Sequence, residues 1–273
     1  MNPIKRLRKS LSKRKLLKQP TPCLEQLKRL YNIPDNDFSE EKFDTPNSPK
    51  VNRYLVLIST PRSGSTMVCD LLNKNYGILM HEYFHPTKLM HYMGARWKSL
   101  NENGTVNLEK YVKALSAHRT SKDGILGINI HRSHLSIFSE ALQFFDPETP
   151  IQYTSIHRED LAKQAISFFI AQKTGKWSSE FSPESKAPQY SYRRILRHYQ
   201  NFTEDNQIIE QFLKDKAHQI MSYESICKDK KAIIPCFDLQ EQESFQSSSL
   251  QRQKNSLNEA FYKRFLEEHS SSK

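Results

Sequence analysis

Short apolar runs alternate with longer amphipathic stretches over most of this chain. The first run, Tyr54 to Ile58, has five apolar or β-branched residues without alternation, which is typical of a strand covered on both faces in a parallel sheet. Four later runs also predict strands: Gly77 to Met80, Ile125 to Ile130, Ile151 to Ile156 and His218 to Ser222. Helical periodicity separates the runs, around Leu108 to His118, Ser136 to Phe145, Asp160 to Lys173 and Tyr190 to Lys216. This alternation predicts an α/β fold with a central, mainly parallel sheet of about five strands flanked by helices.

A loop rich in hydroxyl groups follows the first predicted strand. Beyond it, apolar residues recur at helical spacing from Met67 to Leu72, so a helix is expected to begin near Ser63 to Thr66. The unpaired N–H groups and the positive end of the helix dipole at such a point favour an anion of phosphate or sulfate size. Gly64 permits close backbone approach, and Arg62 supplies a planar cation. The sequence therefore predicts an anion-binding loop, although a plain strand-to-helix turn capped by serines has the same pattern.

The same loop departs from the pattern of ATP-binding and GTP-binding proteins. Their loop reads G-x-x-x-x-G-K-[ST], with the lysine on the outer phosphates and the last hydroxyl on magnesium. Ser65 stands in the lysine's place here, and the fixed cation is Arg62. A donor bound without a metal ion fits this loop better than Mg-ATP does.

Polar residues also follow the other predicted strands, where ligands of parallel sheets bind. Glu82 and His131 each follow one, and either a carboxylate or a neutral imidazole can act as a general base. Arg158 follows another. Each also has a structural interpretation: a surface carboxylate, a packed histidine, and an arginine paired with a surface acid.

Taken together, these segments resemble the bacterial trehalose 2-sulfotransferase type of carbohydrate sulfotransferase. The resemblance runs in order from about Arg53 to Glu268 through PRSGST, HEYFHP, LGINIH, HREDLAKQAISFFIAQKTGKW, SYE and QRQKNSLNEAFYKRF. It implies a P-loop-like, three-layer α/β fold and transfer of a sulfuryl group from 3'-phosphoadenylyl sulfate (PAPS) to a hydroxyl group, without a metal ion. It also implies a carbohydrate or glycolipid acceptor and a homodimer.

The resemblance assigns the donor-binding residues. The phosphosulfate end of PAPS would lie on a loop made of Pro61, Arg62, Ser63, Gly64, Ser65 and Thr66. Arg158 and Ser167 match residues that hold the 3'-phosphate, while Arg252 and Lys254 lie in a basic segment that resembles one closing over it.

The resemblance also points to the catalytic residues, with two candidates for the base. Glu82 matches a glutamate proposed as base and sugar ligand, although GILMHEYF at residues 77–84 departs from the family's G-x-P-x-E-[FY]-F. His131 resembles the histidine of a K-x-H element whose lysine is replaced here by Asn129. Glu82 and His131 therefore compete for the role, and Arg62 would act as the catalytic cation.

Composition agrees with one main domain. The 273 residues, 37% of them hydrophobic, can bury one sizeable core. No apolar run approaches the roughly 18 residues that a transmembrane helix needs, and no secretory signal is recognisable, so a cytoplasmic location is expected. The four cysteines form no C-x-x-C pair, which predicts neither disulfides nor zinc. The expected divisions are a basic arm (1–20), a short helix and linker (21–52), the sulfotransferase domain (53–268) and a frayed tail (269–273).

The net charge of +11 is concentrated at the start of the chain, since residues 1–18 contain eight Lys or Arg and no acid. Ile4, Leu7 and Leu11 would share one helical face there, which suggests peripheral contact with the inner membrane face. Two alternative functions remain open: a small-molecule kinase with a degenerate loop, and a basic module that binds nucleic acid or membranes. Aromatic residues do not interleave with the basic arm, so no nucleic acid is expected as a partner.

Overall fold

A computed structural model describes residues 16–36, 38–45, 47–86, 89–177, 188–248, 250 and 256–271. The strands are Arg53–Ser59 (β1), Ile125–His131 (β2), Ile151–His157 (β3) and His218–Ser222 (β4). The α-helices are Leu24–Tyr31 (α1), Ser65–Tyr76 (α2), Leu89–Arg96 (α3), Leu108–Arg119 (α4), Leu135–Ala141 (α5), Leu161–Thr174 (α6), Tyr192–Leu213 (α7), Tyr223–Lys228 (α8), Ile233–Cys236 (α9) and Ser256–Ser270 (α10). Short 3₁₀ turns cover Glu41–Phe43, Arg132–His134, Leu142–Phe144 and Lys230–Ala232.

The four strands form one parallel sheet in the order β2-β1-β3-β4. The register of the last pair runs from Tyr153 beside His218 to His157 beside Ser222. Six of the seven residues of β1 are buried, as expected for a strand covered on both faces. The predicted α/β fold, with a parallel sheet flanked by helices, is therefore confirmed.

The predicted strand at Gly77 to Met80 is wrong. The N–H of Met80 donates to the carbonyl of Ile78 at 3.0 Å, so this segment turns on itself instead of extending the sheet. Immediately after it, His81 makes a single parallel bridge to Ile128. The segment is apolar because it is buried against β2, where Gly127 leaves room for the side chain of Ile78.

The chain divides into two compact units. Unit 1 comprises Met1–Leu55 and Gly77–Ile151, and unit 2 comprises Val56–Tyr76 and Gln152–Lys273. The domain limits expected from the sequence remain a prediction.

Unit 1 contains a buried ionic cluster. Asp44 accepts a hydrogen bond from Nη2 of Arg96 at 2.5 Å, and its other oxygen lies 3.2 Å from Nη2 of Arg119. Arg119 is only 1% exposed and also donates to the carbonyl of Phe38 at 2.8 Å. The segment around residues 38–44 is therefore held against α3 and α4 by charge as well as by apolar burial.

Unit 2 is organised around α6. Its buried face, which includes Ile166 and Phe169, forms a core with residues of α7 and α10 such as Ile195 and Phe265. The side chain of Asp160 caps the helix by accepting from the N–H of Lys163 at 2.9 Å. The helix thus begins directly after Arg158, which places its first two turns beside the end of β3.

Candidate active site

The loop between β1 and α2 is built as an anion-binding loop would be. Arg62 and Gly64 have positive φ angles of 67° and 96°, and the N–H groups of Met67 and Val68 donate to the carbonyl of Gly64 at 2.9 and 3.2 Å. Ser63 is 0% exposed, and its Oγ has no hydrogen-bond partner among the described residues. A buried hydroxyl without a partner at a helix N-terminus fits an anionic ligand.

Two neighbours fix the shape of this loop. A Cβ atom on Gly64 would lie 2.5 Å from Cδ2 of Tyr223, so the tyrosine ring packs directly on the glycine backbone. On α6, Nε2 of Gln164 donates to Oγ1 of Thr60 at 2.8 Å and to the carbonyl of Pro61 at 2.7 Å. Gln164 is 0% exposed, so the amide joins helix and loop out of contact with water.

Two arginines provide positive charge next to the loop. Arg62 donates from Nε to Oγ of Ser167 at 3.0 Å and from Nη1 to the carbonyl of Trp177. Burial, together with the charge of nearby Arg158, lowers the pKa of Arg62 to about 10, so the guanidinium remains charged at neutral pH. A hydroxyl that accepts from an arginine can still donate its own proton to an anion, and Ser167 is in that position.

Arg158 completes this positive region. Its guanidinium lies 4.8 Å from the ring centroid of Tyr223, and its Nε lies 3.9 Å from Oε1 of Glu224, too far for a hydrogen bond. That buried Nε has no hydrogen-bond partner among the described residues. Arg158, with only a distant carboxylate, and the nearby Arg62 leave a positive region that suits a phosphate group.

Unit 1 contains a separate cluster of titratable side chains. Oε2 of Glu82 lies 3.6 Å from Nδ1 of His131 and 3.8 Å from Nε2 of His134. The side chain of Glu82 is 30% exposed, whereas that of His134 is only 2% exposed. The two residues proposed as alternative bases are therefore neighbours, and a second imidazole lies behind them.

The donor atoms of this cluster do not suit a metal ion. Ligand atoms of Glu82, His131 and His134 lie within 4.8 Å of one another, the single such group found among the described residues. The backbone N–H of His131 donates to Nδ1 of His134 at 3.1 Å, so neutral His134 must carry its proton on Nε2. An Nε2 that carries a proton cannot bind a metal ion, and the trio therefore lacks its third ligand.

The structure distributes the predicted residues over two clusters. Unit 2 brings together the loop from Pro61 to Thr66, Arg158 and Ser167, with Ser65 buried and Thr66 exposed. Unit 1 brings together Glu82 and His131. Arg252, Lys254 and the basic residues up to position 15 lie outside the described residues.

The sequence did not indicate four contributions to these clusters: the amide of Gln164, the carbonyl of Trp177, the ring of Tyr223 against Gly64, and His134. Only His134 had a readable signal, because its spacing of three residues from His131 suits a tight turn after a strand.

In the part of the chain that the structure describes, no helix is apolar enough over sufficient length to cross a bilayer.

Comparison with known proteins places the chain in a family. The family model described as Stf0 sulphotransferase matches residues 53–267. No curated protein matches the chain. Among solved structures, a sulfotransferase from Alicyclobacillus acidocaldarius is similar at 12% identity and a TM-score of 0.43, covering 81% of this chain and 94% of that one, which is too distant to support any inference. Since the family match covers well over half of its residues, the chain belongs to the Stf0 sulphotransferase family.

Proposed function

We propose that this protein transfers the sulfuryl group of PAPS directly to a hydroxyl group of a carbohydrate or glycolipid. The acceptor oxygen forms a bond to sulfur while the bond between sulfur and the bridging oxygen of the phosphosulfate breaks. The products are a sulfate ester, adenosine 3',5'-bisphosphate and the proton of the acceptor hydroxyl. This reaction requires a bound donor, stabilisation of charge on the leaving phosphate, and a base.

The observation that carries the proposal is the loop from Pro61 to Thr66. It combines the start of a twelve-residue helix, a buried Ser63 hydroxyl without a partner, and the positive charge of Arg62. In the proposed complex, N–H groups of the loop bind the phosphosulfate and Arg62 stabilises the leaving phosphate. Arg158 and the hydroxyl of Ser167 bind the 3'-phosphate, with Arg252 and Lys254 as further ligands.

The base is Glu82, His131 or the pair acting together. Their facing atoms are 3.6 Å apart, so a proton taken up by one group lies close to the other. The proton leaves the acceptor hydroxyl for this pair as the oxygen attacks sulfur.

The proposal also includes a homodimer in the cytoplasm, with residues 1–18 in peripheral contact with the inner membrane face.

Two ligand-binding measurements test the donor assignment. Adenosine 3',5'-bisphosphate should raise the melting temperature of the protein, and Mg-ATP at the same concentration should not. The Arg62→Ala variant should lose most of this response. Arg264→Ala is the matched control, because it removes an exposed arginine that pairs with Glu268 on α10. A larger shift with Mg-ATP would favour the kinase alternative.

Incubation with labelled PAPS and a panel of sugars and glycolipids tests the reaction and identifies the acceptor. Glu82→Gln should leave the affinity for the bisphosphate unchanged and lower kcat by about 10²- to 10⁴-fold, the usual contribution of a general base. Glu109→Gln is its control, since Glu109 is an exposed carboxylate paired with Lys113 in the same unit. Unchanged turnover in Glu82→Gln would assign the role to His131 alone. Absence of label transfer to every acceptor, with no binding of the bisphosphate, would overturn the proposed function.

A further inference from the structure

His134 is the buried member of the Glu82 cluster and has no part in the site expected from the sequence. We propose that His134 is a positioning residue: its Nε2–H holds one oxygen of the Glu82 carboxylate, so that the other oxygen is presented to the acceptor hydroxyl. The proposal rests on the proposed function, in which Glu82 takes part in removing the acceptor proton. The supporting observations are the form of the imidazole, its surroundings and its distance from the carboxylate.

The position of the proton on His134 follows from one hydrogen bond. His134 ends a 3₁₀ turn that begins directly after β2, and this turn brings Nδ1 to 3.1 Å from the backbone N–H of His131. A backbone N–H can only donate, so Nδ1 must be the acceptor nitrogen. The ring proton is then on Nε2, the nitrogen that lies 3.8 Å from Oε2 of Glu82.

The surroundings keep this imidazole neutral. Burial is the main cause, and the rings of His131 and His85, with centroids 5.3 and 5.1 Å from that of His134, add to it. Together they lower the pKa of His134 to about 2, even though the carboxylate of Glu82 faces the same ring. His134 is therefore a permanent single-proton donor at physiological pH, and it does not compete with His131 for the acceptor proton.

The geometry makes the two oxygens of Glu82 unequal. Both imidazole nitrogens approach Oε2, His131 at 3.6 Å and His134 at 3.8 Å. These distances are longer than hydrogen bonds, as is common for catalytic contacts before substrate binds, and the proposed contact is one that tightens in the reacting complex. A carboxylate held in this way through one oxygen has a fixed direction for the other, which is what efficient proton removal requires.

A pair of substitutions separates positioning from a purely structural role. The side-chain oxygen of His134→Asn can replace Nδ1 and accept from the His131 backbone, but this variant has no donor that reaches Glu82. In His134→Gln, the amide N–H lies near the place of Nε2 and restores the contact with Glu82. Both variants, in the full chain, are assayed with labelled PAPS and the best acceptor, at equal folded fraction measured by circular dichroism.

The two variants should differ in kcat and not in donor binding. His134→Asn should lower kcat by about 10²-fold, the cost of a misplaced catalytic group, with the KM for PAPS unchanged. His134→Gln should recover at least half of that loss on a logarithmic scale. Wild-type turnover in His134→Asn, or a His134→Gln variant that is no more active than His134→Asn, would overturn the proposal.

Nuclear magnetic resonance tests the inference independently of activity. In wild-type protein, long-range ¹H–¹⁵N correlation should show Nδ1 of His134 without a proton and Nε2 with one, unchanged between about pH 5 and about pH 8. A proton on Nδ1, or titration of the ring in that range, would also overturn the proposal. Failure of the proposed function would look different, because wild-type protein would then neither transfer label nor bind the bisphosphate.

Discussion

Replacing Gly64 by alanine should damage the loop between β1 and α2 in two separate ways. The residue has a φ angle of 96°, and holding a residue with a Cβ atom in a left-handed conformation costs about 1 to 2 kcal/mol. The new Cβ would also lie 2.5 Å from Cδ2 of Tyr223, and such overpacking costs about 1 to 3 kcal/mol more. We therefore expect Gly64→Ala to lower the free energy of unfolding by about 2 to 5 kcal/mol.

Gly77 provides the matched control. Its φ angle is 64°, and no atom lies within 4 Å of the place where its Cβ would be. Gly77→Ala should therefore show the backbone cost alone, about 1 to 2 kcal/mol. The difference between the two variants measures the contact between Gly64 and Tyr223.

Urea unfolding followed by circular dichroism gives both free energies, and calorimetric titration with adenosine 3',5'-bisphosphate gives donor affinity. Gly64→Ala should weaken bisphosphate binding by at least about tenfold, because the loop or the tyrosine must move by a large part of an ångström to relieve the clash. Gly77→Ala should bind the bisphosphate like wild-type protein. The reasoning fails if the two variants lose the same stability to within about 0.5 kcal/mol, or if Gly64→Ala retains full affinity.

Three further predictions follow from buried polar groups. Gln164→Leu should cost about 1 to 3 kcal/mol of unfolding free energy, because Thr60 and the carbonyl of Pro61 lose their buried donor, and it should weaken bisphosphate binding in the same titration; the exposed Gln143→Leu should do neither. Asp44→Asn should cost about 3 to 5 kcal/mol by removing the carboxylate that pairs with both Arg96 and Arg119, whereas the exposed Glu109→Gln should leave stability unchanged, both measured by urea unfolding. His134 stays neutral in the folded protein, but in the unfolded chain it takes up a proton below its usual pKa of about 6.5. The free energy of unfolding should therefore decrease as the pH is lowered, by about 2 kcal/mol between pH 7.5 and pH 5. The free energy of unfolding of His134→Gln should decrease by about 2 kcal/mol less than that of wild-type protein over the same pH range. Equal decreases in the two proteins would contradict a lowered pKa of His134.

The first strand could be predicted because it is an unbroken apolar run, and burial on both faces leaves that trace in a sequence. The fifth predicted strand failed at Ile78 to Met80, where one hydrogen bond between residues two apart turns the backbone. Hydrophobicity reports burial and not the direction of the backbone, so a buried strand and a buried turn give similar sequence patterns. The fold class was accessible from the sequence, and the edge of the sheet was not.

The anion-binding loop was visible because its chemistry is local: a strand, a glycine, hydroxyl groups and a helix start within a dozen residues. The partners that hold it were not visible, because they are distant in the chain. Gln164 lies 104 residues after Thr60, and the local sequence around either residue does not indicate the hydrogen bond between them. The approach of Glu82 to His131 likewise depends on the segment around His81 lying beside β2. The sequence presented Glu82 and His131 as alternative candidates for the general base, whereas the structure places their side chains next to each other.

The ionic cluster around Asp44 has a practical consequence for shortened versions of this protein. The family match begins at residue 53, which makes a fragment cut there the obvious choice for a minimal version of the protein. Such a fragment would lack both Asp44 and the Phe38 carbonyl, and so would take from the interior guanidinium groups of Arg96 and Arg119 the carboxylate that they share. Truncation at the homology boundary would thus remove part of the interior, and expression designs for this chain should begin upstream of residue 38.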